Sequence, residues 1–463
     1  MLRIALVEPK ASSAFNIYSL IRMPRLALPL LGTILSKAGY KVKVFCEDLM
    51  PFDWRELLQY DLVGISAITC TVNRAYQLMA FLERHRPNLP KIIGGPHVSE
   101  LPEEALSFGA DVVVRSEGEK KILPIVQAIA EGQELTGIPG ISYLNNGQYV
   151  HADDAPNLTD ADLDNNPFPH FSLIHGHERI HQTPIETSRG CPYRCKFCHV
   201  SRQFGPVLHL RSVESVLSEI EWQRPESVFF VADNFFANPD YGLKLLEGMI
   251  RRELRPLRGN QAQMRVGDAQ EERVRMMKEA GFEWVFLGLE SINPESLKEL
   301  RKQQKIEEMI RGLGVFRKYE IKAHGMFMTG ADSDHIKDIR AIPAFAAKYG
   351  ITTLQMLILT PLPGTTLFEE LDQNGRITSR NWALYTGHEA VFKPAQMSAR
   401  RLRFETTLAM LRFYVGPPGL KLLRFGPGNY LTVASSFLAQ EFKRRFNQPL
   451  KVSSPKTSRR VRL

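Results

Sequence analysis

Three of the five cysteines stand together in Ser188-Arg189-Gly190-Cys191-Pro192-Tyr193-Arg194-Cys195-Lys196-Phe197-Cys198-His199, just past the strand-like run Thr183–Thr187. Their spacing is three residues and then two. Cysteine thiolates are the usual ligands of iron–sulfur clusters, and a cubane cluster takes four ligands. Three protein donors leave one iron open to hold something else. A structural zinc knuckle with His199 or His209 as fourth ligand is the alternative. Knuckles usually come as two cysteine pairs, and the chain has no second pair. The expectation is a [4Fe–4S] cluster on Cys191, Cys195 and Cys198.

The rest of the composition narrows the class. At 463 residues the chain is too long for one small core, so two or three domains are expected. Hydrophobic content of 44% and charged content of 24% are those of an ordinary globular protein. No apolar run approaches the roughly 18 residues that would span a bilayer. Met1–Val7 reads as a first strand and not as a signal peptide. Five cysteines, three of them clustered, make no disulfide framework, so a reducing cytoplasm is expected.

Up to about residue 130, strands and helices alternate. Leu2–Val7, Lys41–Phe45, Leu62–Ser66, Lys91–Gly94 and Asp111–Arg115 read as strands, and Leu26–Ala38 and Asn73–His85 as amphipathic helices. This pattern predicts an α/β domain over residues 1–150: a doubly wound, Rossmann-like parallel sheet with ligands at the carboxyl ends of its strands. Ile141–Leu144 and Gln148–Val150 flank Asn145-Asn146-Gly147 and read as a hairpin. The Asp-, Asn- and Pro-rich segment around 155–170 lacks a period and reads as part of a linker over 151–175.

Residues 176–398 repeat the alternation six times. The strands are Thr183–Thr187, Ser227–Val231, Gln261–Val266, Trp284–Leu289, Lys322–Met328 and Thr353–Leu359. Helical patterns such as Val213–Gln223 and Glu271–Ala280 lie between them, the second stopping at Gly281. Six units predict a partial (β/α)6 barrel, whose chemistry belongs where strands end in loops. The first strand ends in the cysteines.

These features together resemble the radical SAM superfamily, in the subfamily with an N-terminal cobalamin (B12)-binding domain that includes hopanoid methylases and anaerobic magnesium-protoporphyrin ester cyclase. The cysteine spacing and Phe197 carry the first part. Asp61–Ser66, Gly94-Gly95-Pro96-His97 and Ser116-Glu117-Gly118-Glu119 carry the second. The resemblance implies that the open iron chelates S-adenosylmethionine and cleaves it reductively, with an electron donor such as flavodoxin or ferredoxin. It places Phe197, Asp233, Arg265 (with Gln263 on the same strand) and Glu290 near that cofactor, and Ser66, Gly94, Gly95 and Gly118 near cobalamin. Two departures are visible. The loop after the first strand, Glu8–Ala14, holds no histidine to ligate cobalt from below, and His97 reads as a turn residue. Ala331-Asp332-Ser333-Asp334 follows Gly330 where the family has Leu/Phe-Pro-Gly-Glu. Structural alternatives stand beside these roles: Asp233 as a helix cap, Arg265 paired with Glu290, and ordinary turns at Gly288, Gly330 and Gly364.

The basic charge is C-terminal. Residues 400–463 hold 14 Lys/Arg and 2 Asp/Glu, a net of +12, while the whole chain carries +9, so residues 1–399 come to −3. Phe404–Val415 and Leu431–Phe446 read as helices on either side of the break Gly416-Pro417-Pro418-Gly419, with a polar tail from Lys451. Apolar faces beside Lys443, Arg444 and Arg445 suit peripheral contact with an anionic membrane face, or a solvated basic cap. The region 399–463 is therefore expected to be helical and basic. The overall expectation is a radical SAM enzyme that transfers a methyl group from cobalamin to an unactivated carbon of a small-molecule or lipid-like substrate, with no nucleic-acid partner. Oxidative cyclisation, a corrinoid-free radical reaction, and a non-catalytic iron–sulfur or zinc module are the alternatives.

Overall fold

The computed structural model describes residues 2–11 and 22–417. They form two compact units. One takes the described residues up to His181 together with Asn381–Ala383. The other takes Gln182–Arg380 and the described residues from Leu384.

In the first unit, β1 (Arg3–Glu8), α1 (Ala27–Lys37), β2 (Lys41–Cys46), β3 (Leu62–Ser66), α2 (Val72–His85), β4 (Lys91–Gly94) and β5 (Val112–Val114) alternate as the periodicity predicts. The sheet order is β2-β1-β3-β4-β5, all parallel, continued by the antiparallel hairpin β6 (Ile141–Asn145) and β7 (Gln148–His151). Strands buried on both faces need continuous apolar runs, and Ile4–Val7, Val63–Ile65 and Val112–Val114 supply them. The strand order reverses at β1, with β2 on one side and β3 on the other, so the topological switch point lies at the carboxyl ends of β1 and β3, beside Glu8 and Ser66. The segment read as an irregular linker contains a short helix, Asp160–Asn165, capped by Thr159, and belongs to this unit. The capping box Thr159–Asp162 overrode the missing hydrophobic period.

The second unit is built on six parallel strands: β8 (Thr183–Glu186), β9 (Val228–Val231), β10 (Asn260–Met264), β11 (Phe282–Glu290), β12 (Lys322–Thr329) and β13 (Thr353–Ile358). They lie side by side in chain order, β8 to β13, without closing. One face is the core, with Phe230, Ala262, Val285, Leu287, Ala323, Phe327, Leu354 and Met356 buried against the surrounding helices. The helices start where the sequence signals them. Ser212 caps Val213–Gln223 and Asn238 caps Pro239–Arg251, each side chain accepting from a backbone N–H.

An open sheet leaves an edge at β13, and its solution revises the reading of the C-terminus. The helix α3 (Ala399–Val415) packs on that edge with Leu402, Thr406, Ala409, Met410, Phe413 and Tyr414 buried. The Tyr414 hydroxyl accepts from the Leu354 N–H at 3.2 Å and donates to the Leu354 carbonyl at 2.8 Å. Glu405 is fully buried between Arg340 and Arg401. The boundary expected at 399 thus does not separate this helix from the barrel, and its basic residues are partly spent on Glu405. Leu431–Phe446, with Lys443–Arg445, and the tail from Lys451 lie outside the described residues. Among the described residues, no helix is long and apolar enough to cross a membrane.

Candidate active site

The cysteine loop leaves β8 through a tightly held turn. Gly190 has φ +84°, and a Cβ there would stand 2.2 Å from the Val207 carbonyl oxygen. Only glycine fits, because both the backbone region and the space exclude a side chain. Its N–H donates to the Asp233 carboxyl group, which lies just past the end of β9. Burial pushes the Asp233 carboxyl up to about 7, with the Gly190 N–H opposing that shift and the Glu186 charge adding to it. Asp233 does not cap the next helix, which uses Asn238. The loop is fastened again at Lys196, whose N–H donates to the Leu300 carbonyl at 3.0 Å and whose carbonyl accepts from the Leu367 N–H at 3.0 Å. Phe197 packs against the barrel core.

Cys191, Cys195 and Cys198 are half-buried free thiols. Burial raises all three, Cys198 to about 12, and nearby negative charge adds to it: Asp233 and Cys195 at Cys191, Glu290 at Cys195, and Cys195, Asp233 and Cys191 at Cys198. Arg265 opposes this at Cys191 and Cys195, and Lys302 at Cys195. Three clustered thiols kept protonated by burial, with Arg265 or Lys302 beside two of them, fit a donor set completed by a cationic iron–sulfur centre, whose binding would release their protons. The remaining cysteines, Cys46 and Cys70, belong to the other unit.

Arg265 and Glu290 do not pair with each other. The Arg265 guanidinium lies 3.8 Å from the Tyr193 ring centroid and donates to the carbonyls of Lys302 at 2.8 Å and Gln303 at 2.5 Å. The Arg265 backbone N–H donates to Asn234 Oδ1, and Asn234 Nδ2 in turn donates to Asp268. Glu290 accepts from Lys302 Nζ at 2.8 Å, both side chains being 9% exposed. Glu290 sits at φ +64°, where the register with β12 slips between Gly288 and Glu290. Gly288 makes room for the pair: a Cβ there would stand 2.6 Å from Glu290 Oε1 and 2.9 Å from Lys302 Nζ. Lys302 and Tyr193 are thus site residues that the sequence left unassigned. Lys302 lies twelve positions from its partner, with no pattern linking them.

The second face of the sheet is open. Phe229, Val231, Gln263, Phe286, Met326, Met328, Gln355 and Leu357 alternate with the core residues and stay partly or fully accessible, although their strands are mostly internal. Phe229 and Phe286 meet edge to face at 5.4 Å. Two of the acidic groups near the strand ends are paired, Glu186 with Arg189 at 2.7 Å and Glu290 with Lys302. Aromatic, thioether and amide groups are left to meet a ligand.

In the first unit the expected corrinoid residues lie at carboxyl strand ends. Ser66 and Gly94 are register partners on β3 and β4. Gly95 has φ +114°, and a Cβ there would strike the Ala67 carbonyl at 2.3 Å; at Gly118 it would press on Leu31 at 3.2 Å. Chain packing therefore accounts for Gly95 and Gly118, while Ser66 and Gly94 are only partly buried. His97 is 1% exposed, with Nδ1 3.3 Å from the Thr69 hydroxyl, Nε2 3.3 Å from Glu104, and Trp382 packed on its ring at 4.9 Å. It is a core residue and not a cobalt ligand. Residues 12–14 of the Glu8–Ala14 loop lie outside the described residues.

Comparison with known proteins agrees with this geometry. Residues 185–346 match the Radical SAM superfamily and residues 19–123 match the B12 binding domain. An uncharacterized methyltransferase of Pyrococcus horikoshii is 29% identical over 433 residues, covering 90% of this chain and 93% of the relative. The bacteriochlorophyllide d C-12(1)-methyltransferase of Chlorobaculum tepidum is 26% identical, covering 95% and 93%. The hopanoid C-3 methylase of Methylococcus capsulatus is 23% identical, covering 80% and 73%. In fold, the chain is similar to the radical S-adenosylmethionine methyltransferase TsrM from Kitasatospora setae with cobalamin and a [4Fe–4S] cluster bound, at TM-score 0.69 and 20% identity over 80% of this chain and 78% of that one. The chain thus carries a radical SAM domain over residues 185–346, with a B12-binding domain over residues 19–123 ahead of it.

Proposed function

We propose that this protein is a cobalamin-dependent radical SAM methyltransferase acting on an unactivated carbon of a small, largely apolar or lipid-like molecule. The observation that carries the reading is the convergence of the cysteine loop, Asp233, Arg265 and Glu290 at the ends of successive strands around one open face. Cys191, Cys195 and Cys198 would hold a [4Fe–4S] cluster. Asp233, Arg265 and the Glu290–Lys302 pair would hold S-adenosylmethionine beside it, and Ser66 and Gly94 would contact cobalamin. When bound, these cofactors supply an electron, a radical and a methyl group.

The chain's own part is positioning and exclusion of water. The Gly190–Asp233 hydrogen bond fixes the loop against β9. Arg265 and Lys302 bring positive charge to the thiolates. Phe229, Phe286, Met326, Met328 and Leu357 offer an apolar bed, with the Gln263 and Gln355 amides to orient a neutral substrate. Cys191→Ala, Cys195→Ala and Cys198→Ala should each abolish S-adenosylmethionine cleavage after anaerobic reconstitution, and Cys46→Ala and Cys70→Ala should not. Stoichiometric zinc without iron would refute the cluster assignment. The missing histidine in Glu8–Ala14 implies that bound cobalamin shows no histidine ligation from this loop in its absorption spectrum.

The proposal includes two partners. A flavodoxin or ferredoxin would deliver the electron, and the basic residues beyond Gly416 would bring the chain to an anionic membrane face. Truncation after Gly416 should abolish sedimentation with anionic liposomes while sparing iron content.

A further inference from the structure

A cavity of about 930 Å³ opens beside the cysteine loop, lined by Arg194, Lys298, Arg301, Gln303, Lys305 and Glu308 among others. Arg194 lies between Cys191 and Cys195. The opposite wall is the segment 298–305, to which the loop is tied by the Lys196–Leu300 backbone bond and by Arg265 holding the Lys302 and Gln303 carbonyls. Arg194, Lys298, Arg301 and Lys305 are all exposed, and none makes an ion pair among the described residues. The neighbouring cations are committed elsewhere: Lys196 to Glu370, Lys302 to Glu290, Arg265 to Tyr193 and two carbonyls. Two acidic residues, Glu307 and Glu308, line the same cavity, the second accepting from the Lys305 backbone N–H at 3.1 Å, and the four cations outnumber them. Residues 1–399 together are slightly acidic, so this concentration of free positive charge is local. Arg301 and Gln303 adopt positive φ (+53° and +43°), which fixes the course of the rim.

We propose that this basic rim is the docking surface for an acidic one-electron carrier protein. The inference rests on the function proposed above, because only a cluster that must be reduced needs such a partner. Unpaired, exposed cations contribute chiefly to the rate of encounter with a negatively charged surface, and little to fold stability. Their place is the outer edge of the loop that carries Cys191 and Cys195. One electron passes from the reduced carrier to the cluster; the carrier is oxidised by one electron, and no bond or proton is exchanged.

The test uses the full chain reconstituted with iron and sulfide. Formation of 5′-deoxyadenosine is followed with reduced flavodoxin or with dithionite as donor. The triple variant Lys298→Glu/Arg301→Glu/Lys305→Glu should lose about tenfold or more in rate at subsaturating flavodoxin, with a raised KM for the carrier. The neutral triple Lys298→Gln/Arg301→Gln/Lys305→Gln should lose less, and both should keep the wild-type rate with dithionite. The wild-type rate with flavodoxin should fall as salt rises, since exposed charges are screened within about 10 Å at 0.1 M. Equal loss with both donors would place an anionic substrate or cofactor in the cavity and overturn the proposal. Unchanged rates with both donors would overturn it too. If the wild type cleaves nothing with dithionite, the proposed function fails separately. Flavodoxin binding by calorimetry, present in the wild type and lost in the charge-reversed triple, then still supports docking, and its absence in the wild type refutes it.

Discussion

Replacing Lys302 by Met should destabilise the barrel by about 3–5 kcal/mol, the usual cost of leaving one member of a buried pair uncompensated. Lys302 Nζ and Glu290 Oε1 stand 2.8 Å apart with both side chains 9% exposed. At an effective dielectric of about 20 their attraction is roughly 6 kcal/mol. Most of that offsets the removal of both charges from water, so the intact pair adds little net stability. Lys302→Met removes the attraction and leaves the Glu290 carboxylate desolvated on a residue already held at φ +64°. The double variant Glu290→Gln/Lys302→Met should recover most of the loss, because no buried charge remains. Urea unfolding followed by circular dichroism, compared across the wild type, both single variants and the double, reads these differences directly. S-adenosylmethionine cleavage provides the second readout. If Glu290 contacts the cofactor, the double variant should be stable and still inactive. A cost below about 1 kcal/mol for Lys302→Met would refute the argument, since the pair would then not be desolvated.

Three further expectations concern other parts of the second unit. Gly190→Ala should cost about 1–3 kcal/mol in backbone strain alone, lower the melting temperature and reduce bound iron per chain, since its Cβ meets the Val207 carbonyl at 2.2 Å; normal iron content would refute the tight turn. His324 is fully surrounded by protein, and burial lowers it to about 4. Because the unfolded imidazole takes a proton near 6.5 and the folded one only near 4, stability should be complete above pH 6.5. It should fall by up to about 3 kcal/mol as the pH drops to 4, with a shallower fall in His324→Gln measured by urea unfolding. Tyr414→Phe should cost about 1–3 kcal/mol in the same assay, because it strips the Leu354 N–H and carbonyl of their partner at the sheet edge.

Much of the protein was legible because its signals are local. Alternation of apolar and polar residues has a period fixed by backbone geometry, so the parallel strands of both sheets and the hairpin fell where the pattern put them, to within a few residues. The cysteine loop needs only short-range spacing, and its departure from β8 is marked by Gly190. Pairings across the chain carry no such signal. That Glu290 meets Lys302 and not Arg265 depends on a one-residue slip of β11 against β12, and on Gly288 leaving room. That Gly95 and Gly118 serve packing depends on Ala67 and Leu31, which are distant in sequence. His97 looks like a potential ligand in its glycine-rich turn, and only the fold buries it against Thr69, Glu104 and Trp382. Phe404–Val415 reads as a helix in a basic region, yet an open six-stranded sheet has an edge to cover, and the longer helix Ala399–Val415 covers it. By itself the sequence determined the elements, their order and the cysteine loop, because these follow from neighbours along the chain. The tertiary structure alone decided which charges neutralise one another and which remain free, because desolvation and partner choice are set by groups that the sequence keeps far apart.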